Sequence, residues 1–439
     1  MVSATALVTV LAAVGGVSAL PAGNVHAERD NTQAVASTDP TSMRNKLDLS
    51  QYGPIKEISL GPRPYYLVDN MKDSALKKKL TKCLDKKQKS TTFSFAHRGG
   101  GTLQFPEHTL ESNLAGARMG AGVLECDVAF TKDRQLVCRH SQCDLHTTTN
   151  VVTIPELNAK CTVPFKPANG TTKATAKCCT SDFTLAEFKS LCGKMDAFNA
   201  SATTPQDYLG GTLDWRTNLY NQCGTLLSHK EHIEFTQRLG LEFTPELKTP
   251  EVKMPFDGDY TQEKYAQQLV DEYREMGISL KKVWPQSFLY ADILYWLKAD
   301  PEFGKNAMYL DNNGGTTPQL MANATAKLGG YKKDGVNYIS PPINYLLTTK
   351  NGEIVPSDYA VEAKKQGLGI ISWSLERSGP IARAAKSKDS YISSVADVVT
   401  RDGDLFTIVD VLAQKVGVRK LFSDWSATTT FYANCFGLK

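Results

Sequence analysis

Read only as hydrophobic and polar positions, the chain settles into two alternating patterns from about residue 91 onward. Short runs rich in β-branched and aromatic residues recur: TTFSFAHR, GVLECDVAFT, QLVCRH, LGLEFTPELK, KKVWPQSF, NAMYLDN, VNYISPP, GLGIISWSLE and VRKLFSDW. Most are separated by stretches long enough to hold a helix. Strand alternating with helix predicts a parallel sheet, and this many units predict an α/β fold closed as a (β/α)8 TIM barrel. Nine candidate strands compete for eight places, so one is expected at an edge or in a loop. The Thr131–Gln135 connection is too short for a crossover helix, so that β/α unit reads as degenerate. A doubly wound open sheet is the alternative, but no Gly-rich phosphate loop opens a helix.

The pattern breaks once. Between the third strand and LEFTPELK, from Ser141 to Gly240, apolar periodicity fades and six of the ten cysteines collect: Cys143, Cys161, Cys178, Cys179, Cys192 and Cys223. A connection this long is functional or folded in its own right. It reads as a disulfide-rich insertion after the third strand, a stapled lid over residues 141–239. Because it leaves the C-terminal end of a strand, it is expected on the face where barrel enzymes build their sites. Spacing does not give the pairing. Cys126 and Cys138, on adjacent strands, read as buried thiols rather than a bridge. The barrel itself is expected over 91–140 and 240–439.

Ahead of it, residues 1–19 read as a signal peptide: a short apolar core precedes the small-residue site Val17-Ser18-Ala19. Its apolar run is too short for a good anchor, and no other segment suits a bilayer, so no stable membrane insertion is expected. Residues 20–50 read as a flexible polar tail and 51–90 as a basic helical segment. The even cysteine count and three N-glycosylation sequons, at Asn169, Asn199 and Asn323, agree with export. The expectation is a secreted, extracellular protein, free or associated with the cell wall. A net charge of +4 over 439 residues argues against nucleic acid as partner. The one concentrated basic run, ALKKKLTKCLDKKQK, reads first as a solvated helix face.

Candidate chemistry gathers at the C-terminal ends of the strand runs. Side chains two apart on a strand share a face, so Glu125 and Asp127 project together with Cys126 opposite, and Glu246 joins Lys248. Three carboxylates at one barrel mouth repel unless something joins them. Salt bridges to Arg98 and Lys248 are one solution; a hard divalent cation, Ca²⁺ or Mg²⁺, is the other. His97 ends the first strand and His140 the third. Two imidazoles facing the carboxylates favour the second solution, because they can serve as base and acid across a phosphate. Glu107 ranks as secondary, ordering the loop after the first strand. His229 and His232 in SHKEH read as a solvated pair inside the lid, and DNNGG at Asp311 as a turn.

The ordered set HRGG, FPEHT, GVLECDVAFTKDRQLVCRH, CDLHTTT and PELK resembles the signature of the glycerophosphodiester phosphodiesterase family. The resemblance runs from Phe95 to LFSDWSATTTFYANCFGL and leaves out the leader, the tail, the basic segment and the lid. It implies a metal-dependent (β/α)8 barrel that cleaves a small-molecule glycerophosphodiester, such as glycerophosphocholine or glycerophosphoethanolamine, to glycerol 3-phosphate and an alcohol. It further implies that Glu125, Asp127 and Glu246 hold the metal, that His97 and His140 are the catalytic pair, that Arg98 and Lys248 contact phosphate, and that Trp373 lines the pocket. The chain departs from the family pattern at His108, where Asn is usual, at Ser141, where Asp usually follows the histidine, and at His146, where Arg is common. SD at Ser423-Asp424 replaces the commoner TD. A phospholipase D-like relative acting on lysolipids, and an inactive barrel with a binding role, are the alternative readings.

Overall fold

The computed structural model describes residues 47–220 and 223–439; the expected leader, and nearly all of the expected tail, lie outside them. The main sheet has nine strands: β1 (Thr91–Ala96), β2 (Ala121–Phe130), β3 (Leu136–Cys138), β4 (Glu242–Leu247), β5 (Gln286–Ser287), β6 (Met308–Tyr309), β7 (Tyr338–Ile339), β8 (Gly369–Leu375) and β9 (Lys420–Ser423). All but β3 pair parallel with their neighbours in chain order, and β9 returns to β1, which closes an eight-stranded barrel. The expected fold class is the observed one.

The ninth strand corrects one expectation. β3 is not the strand of a degenerate β/α unit. It runs antiparallel to β2, with Val128 opposite Cys138 and Phe130 opposite Leu136, as a hairpin arm outside the ring. A connection of a few residues can close only an antiparallel pair. The hairpin also corrects the reading of Cys126 and Cys138 as free thiols. Side by side, their Cα atoms 5.1 Å apart, they form a disulfide.

Helices surround the ring. α1 (Arg63–Asp69) and α2 (Ala75–Thr81) precede it; α3 (Leu110–Arg118), α4 (His229–Leu239), α5 (Gln262–Glu275), α6 (Tyr290–Ala299), α7 (Pro318–Lys333), α8 (Asp358–Lys365), α9 (Asp404–Asp410) and α10 (Ser426–Phe436) follow in turn. Their apolar faces bury Ile233, Phe235, Leu269, Tyr273, Trp296, Leu328 and Phe431 against the sheet. Leu49, inside the span expected to be a flexible tail, is 1% exposed in this same core. A disulfide from Cys83, just past α2, to Cys435 in α10 ties the basic segment to the closing helix, where Lys79 sits over the Phe436 ring.

α4 also corrects an expectation. His229 and His232 are not solvated; both are fully buried on its inner face, and the helix's apolar side chains join the barrel core. Each takes a specific partner: His229 Nδ1 lies 2.7 Å from Glu272 Oε2, and His232 Nε2 lies 3.3 Å from Asn113 Oδ1.

The lid has a core of its own, built on Leu145, Val151, Phe183, Phe188, Leu191 and Tyr208. Its bridges all close within it: Cys143–Cys179, Cys161–Cys178 and Cys192–Cys223. Buried Lys194 donates to the carbonyls of Thr147, Met195 and Ala197, each at 2.7 Å, and so ties its own segment to the one around Thr147.

Two features fix the barrel's ends. Inside, Phe95, Val123, Met308, Ile371 and Phe422 form a small central core. Beneath it, Lys420 Nζ sits 4.6 Å from the Trp284 ring centroid and 3.0 Å from the Thr92 carbonyl oxygen. Burial pushes this amine down to about 8, with Glu242 opposing. At the other end, the turn after β1 needs the left-handed backbone of Gly99 and Gly100 (φ 104° and 75°). α3 presses on this turn so closely that a Cβ on Gly116 lies 2.1 Å from the Gly99 oxygen.

Two outcomes are expected. The unfolded chain keeps Lys420 protonated up to about 10.5, whereas the folded one releases the proton at about 8, so folding carries a charging penalty below pH 8 that fades as pH rises. Lys420→Met is expected to stabilise the protein at pH 7 by up to about 3 kcal/mol, with the gain shrinking toward pH 10; denaturant unfolding across pH checks it. Gly116→Ala, which forces backbone against backbone, is expected to cost about 1–3 kcal/mol by the same measurement.

Candidate active site

The C-terminal mouth of the barrel collects the expected residues through strand register. Glu125 and Asp127 share one face of β2, and Asp127 lies directly opposite Glu246 on β4. One carboxylate oxygen from each of Glu125, Asp127 and Glu246 falls within 4.8 Å of the others, all three side chains being buried. At such separations each ionised pair costs about 3–4 kcal/mol at an effective dielectric of about 20. Three pairs together rival the whole stability of an ordinary domain, about 5–15 kcal/mol, so the trio needs positive charge.

The protein supplies part of it. Lys248 Nζ reaches Glu246 Oε1 at 2.5 Å, and His108 Nε2 donates to Asp127 Oδ2 at 2.7 Å. Glu125 accepts from the Arg98 backbone N–H at 2.6 Å and from Gln286 Nε2 at 2.8 Å. The balance is uneven. Burial, with Asp127 and Glu246 nearby, pushes Glu125 well up, and burial pushes Glu246 up to about 8 against the pull of Lys248. Asp127 is buried too, but Lys248 and His108 hold it well below the usual range. Asp127 Oδ1 is buried without any hydrogen-bond partner, and Glu246 Oε1 has only its ion pair with Lys248. An all-carboxylate donor set with an orphaned inward oxygen fits a hard divalent cation of the Ca²⁺ or Mg²⁺ kind. A second cluster, Cys126, Cys138 and His232, does not fit one, because its sulfurs are bonded to each other.

Around the trio stand the remaining candidates. His97, 8% exposed in the turn after β1, gives its Nδ1 to a hydrogen bond with Asp424 Oδ1, and Ser374 Oγ lies 3.1 Å from the same nitrogen. Nε2 is therefore the nitrogen left for proton transfer. Burial holds this imidazole below its ordinary value, with Asp424 opposing. Arg98 sits at a positive φ of 52°, with Nη1 donating to Glu107 Oε2 at 2.9 Å and a buried Nε that has no partner. His140, two residues beyond β3, makes no hydrogen bond to a described residue. Burial and the Arg98 and Lys248 cations depress its pKa well below the histidine norm, and its partial exposure moderates this. Trp373 on β8 stands half-buried on the rim, edge-on to Phe288 at 5.8 Å; Lys248 Nζ in turn lies 5.7 Å from the Phe288 centroid.

Several groups here escaped sequence reasoning. Asp424 follows β9 and anchors His97; only the SD dipeptide flagged it. Arg377, after β8, reaches Asp424 Oδ2 at 3.2 Å and Glu107 Oε2 at 3.7 Å. Arg216 comes from the lid. Gln286 is placed by its register opposite Glu246 on β5. Glu107, ranked secondary, accepts from Arg98 and is held well below the usual range: Arg98 and Arg377 outweigh its burial. Of the departures, His108 takes a direct role by pairing with Asp127, Ser141 hydrogen-bonds Glu251, and half-buried His146 accepts from the Cys178 N–H at 3.4 Å.

A closed (β/α)8 barrel with buried carboxylates, histidines and cations at its C-terminal mouth defines a class of barrels equipped for phosphoryl chemistry. Comparison with known proteins narrows this. The model of the glycerophosphoryl diester phosphodiesterase family matches residues 97–300, and the chain belongs to that family. An extracellular protein of Arthroderma benhamiae is 52% identical over 246 residues, 56% of this chain and all of that protein. A glycerophosphodiester phosphodiesterase of Arabidopsis thaliana is 24% identical over 84% of this chain and 91% of its own length. A Silicibacter pomeroyi crystal structure assigned to the same activity has a TM-score of 0.48 at 15% identity, covering 82% of this chain and 98% of its own.

Because the trio repels itself, Glu125→Gln is expected to make the metal-free protein more stable and to remove most of its response to cation. Wild type at a hundredfold excess of Ca²⁺ or Mg²⁺ over Kd is expected to gain about 2.7 kcal/mol, read by thermal unfolding with and without chelator.

Proposed function

We propose that the protein is a secreted, metal-dependent glycerophosphodiester phosphodiesterase. It hydrolyses glycerophosphodiesters such as glycerophosphocholine or glycerophosphoethanolamine to glycerol 3-phosphate and an alcohol. The observation that carries this reading is the buried trio of Glu125, Asp127 and Glu246, too repulsive to stand alone, set among two histidines and two cations at the barrel mouth. Family membership supports phosphodiesterase chemistry. Export is supported by five disulfides with no free cysteine and by the name of the Arthroderma relative. Among the described residues no helix is long and apolar enough to cross a membrane.

Each residue has a definable task. Glu125, Asp127 and Glu246 would hold the cation, which when bound would supply the positive charge that neutralises them and polarises a phosphate oxygen. Arg98, through its free Nε, and Lys248 offer donors to the charge that builds on the phosphate in the transition state. His97 takes the proton of the attacking oxygen at Nε2, while Asp424 keeps the other nitrogen protonated and stabilises the resulting imidazolium. The attacker is water or the substrate's own glycerol hydroxyl; His97 has the same task in both. His140 gives a proton to the leaving alcohol. A phosphodiester anion seated beside Arg98 and Lys248 offsets the two charges that depress His140, so substrate itself helps protonate the acid. Trp373 and Phe288 form an apolar wall at the rim.

The lysolipid alternative gains nothing from the basic segment. α10 runs back from the mouth, so its last turn, with Phe436 under Lys79, lies at the barrel's opposite end.

The test is hydrolysis of a diester panel with Ca²⁺, with Mg²⁺ and with chelator, followed as glycerol 3-phosphate release. Metal-dependent release is expected, with His140→Ala lowering kcat by about 10²–10⁴. Turnover of lysolipids alone reassigns the substrate; no turnover of any diester by folded, metal-loaded protein overturns the reading.

A further inference from the structure

Arg216 belongs to the lid, yet its guanidinium is buried at the barrel mouth. Its Nη2 lies 3.2 Å from Asp424 Oδ2, 208 positions away in sequence, and its side chain is 3% exposed. Asp424 Oδ1 holds His97 Nδ1. One carboxylate thus carries the lid's arginine on one oxygen and the candidate base on the other. Arg377 shares Oδ2, but it also serves Glu107 and Asp196. Arg216 has no other carboxylate within ion-pair distance among the described residues.

The lid segment around Arg216 is built to deliver it. Cys192–Cys223 closes the loop that contains it. Within that loop Asp214 pairs with Arg383 at 2.6 Å, and Arg383 stacks 5.2 Å from the Trp215 ring. The Thr217 N–H donates to the Leu103 carbonyl at 3.1 Å, and Tyr220 stacks on Phe105 with centroids 4.8 Å apart. Residues on both sides of Arg216 are therefore docked on the loop that follows β1 and on the helix Ile381–Lys386 that follows β8.

We propose that Arg216 is a positioning residue: the docked lid completes the site by fixing Asp424, and through it the orientation and tautomer of His97. A fully buried aspartate with too little positive charge around it takes up a proton and ceases to accept from imidazole. Two guanidiniums on Oδ2 keep it ionised and aim Oδ1 at Nδ1. The lid is then more than a cover, since an undocked lid leaves the base poorly held. This inference builds on the phosphodiesterase reading for its kinetic consequence, but not for its structural one.

The experiment has two arms. In the first, selectively ¹⁵N-labelled histidine reports the Nδ1–H resonance of His97, assigned by its loss in His97→Ala. Arg216→Ala is expected to shift or broaden it, with the thermal midpoint near that of wild type and Arg216→Lys restoring part of the signal. In the second, kcat and KM are measured for wild type, Arg216→Ala, Asp424→Asn and the double variant. Arg216→Ala is expected to lower kcat by about tenfold to a hundredfold with KM nearly unchanged, and to add nothing in the Asp424→Asn background. An unmoved His97 resonance overturns the proposal. So does a KM effect that persists in the double variant, which marks a direct substrate contact instead. A wild type without diesterase activity defeats the functional reading alone, and the resonance arm still decides this one. If Arg216→Ala does not fold, Arg216→Lys carries both arms, and identity with wild type in both overturns the proposal.

Discussion

Mutual repulsion among Glu125, Asp127 and Glu246 is the constraint that the rest of the mouth answers to. Strand register forces the three together: two on alternate positions of β2 and one directly across on β4. Nothing in the fold allows them to separate without unpairing strands. The surroundings are accordingly biased toward positive charge. Lys248 and His108 pull Asp127 low, the Arg98 N–H and Gln286 satisfy Glu125, and the remaining deficit is of the kind a divalent cation would fill. The same repulsion explains why this end of the barrel is pinned from behind. Cys126, pointing away between the two carboxylates of β2, is bonded to Cys138, so the strand that carries Glu125 and Asp127 is tied to the arm that leads to His140.

A second charge system, centred on Asp424, is separate in sequence but adjoins the first through Arg98 and Glu107. Here the order of strength is reversed: Arg216, Arg377 and His97 crowd a single carboxylate and hold it far below the usual range despite complete burial. One carboxylate group is starved of positive charge and the other is saturated with it. Under the proposed function, that contrast separates a place suited to a cation from a place suited to orienting a base.

The part of this arrangement legible in the sequence is the part encoded locally. A period of two places Glu125 beside Asp127 and Glu246 beside Lys248, and alternating strands and helices give the barrel. What was not legible depends on chain reversal over long distances. Arg216 sits in a stretch with no periodicity, and nothing near it in sequence marks its aspartate. His229 and His232 looked solvated because three-residue spacing says only that they share a face, not that Glu272 and Asn113 wait on it. The hairpin of β2 and β3 was misread as a β/α unit because run length does not carry strand direction, and the Cys126–Cys138 bridge was missed with it.

The seam where the barrel closes has a consequence for how the chain can be made. β1 needs two neighbours, β2 and β9, and it gains the second only when Lys420–Ser423 arrives. The Cys83–Cys435 bond that covers the same seam spans 352 positions. The lid's bridges, by contrast, close over 36 positions or fewer. A chain emerging from the ribosome can therefore complete its lid early while β1 still presents an open hydrogen-bonding edge, the feature that invites pairing with other chains. For this protein the hazardous interval in synthesis is set by the length of the barrel rather than by its most elaborate part.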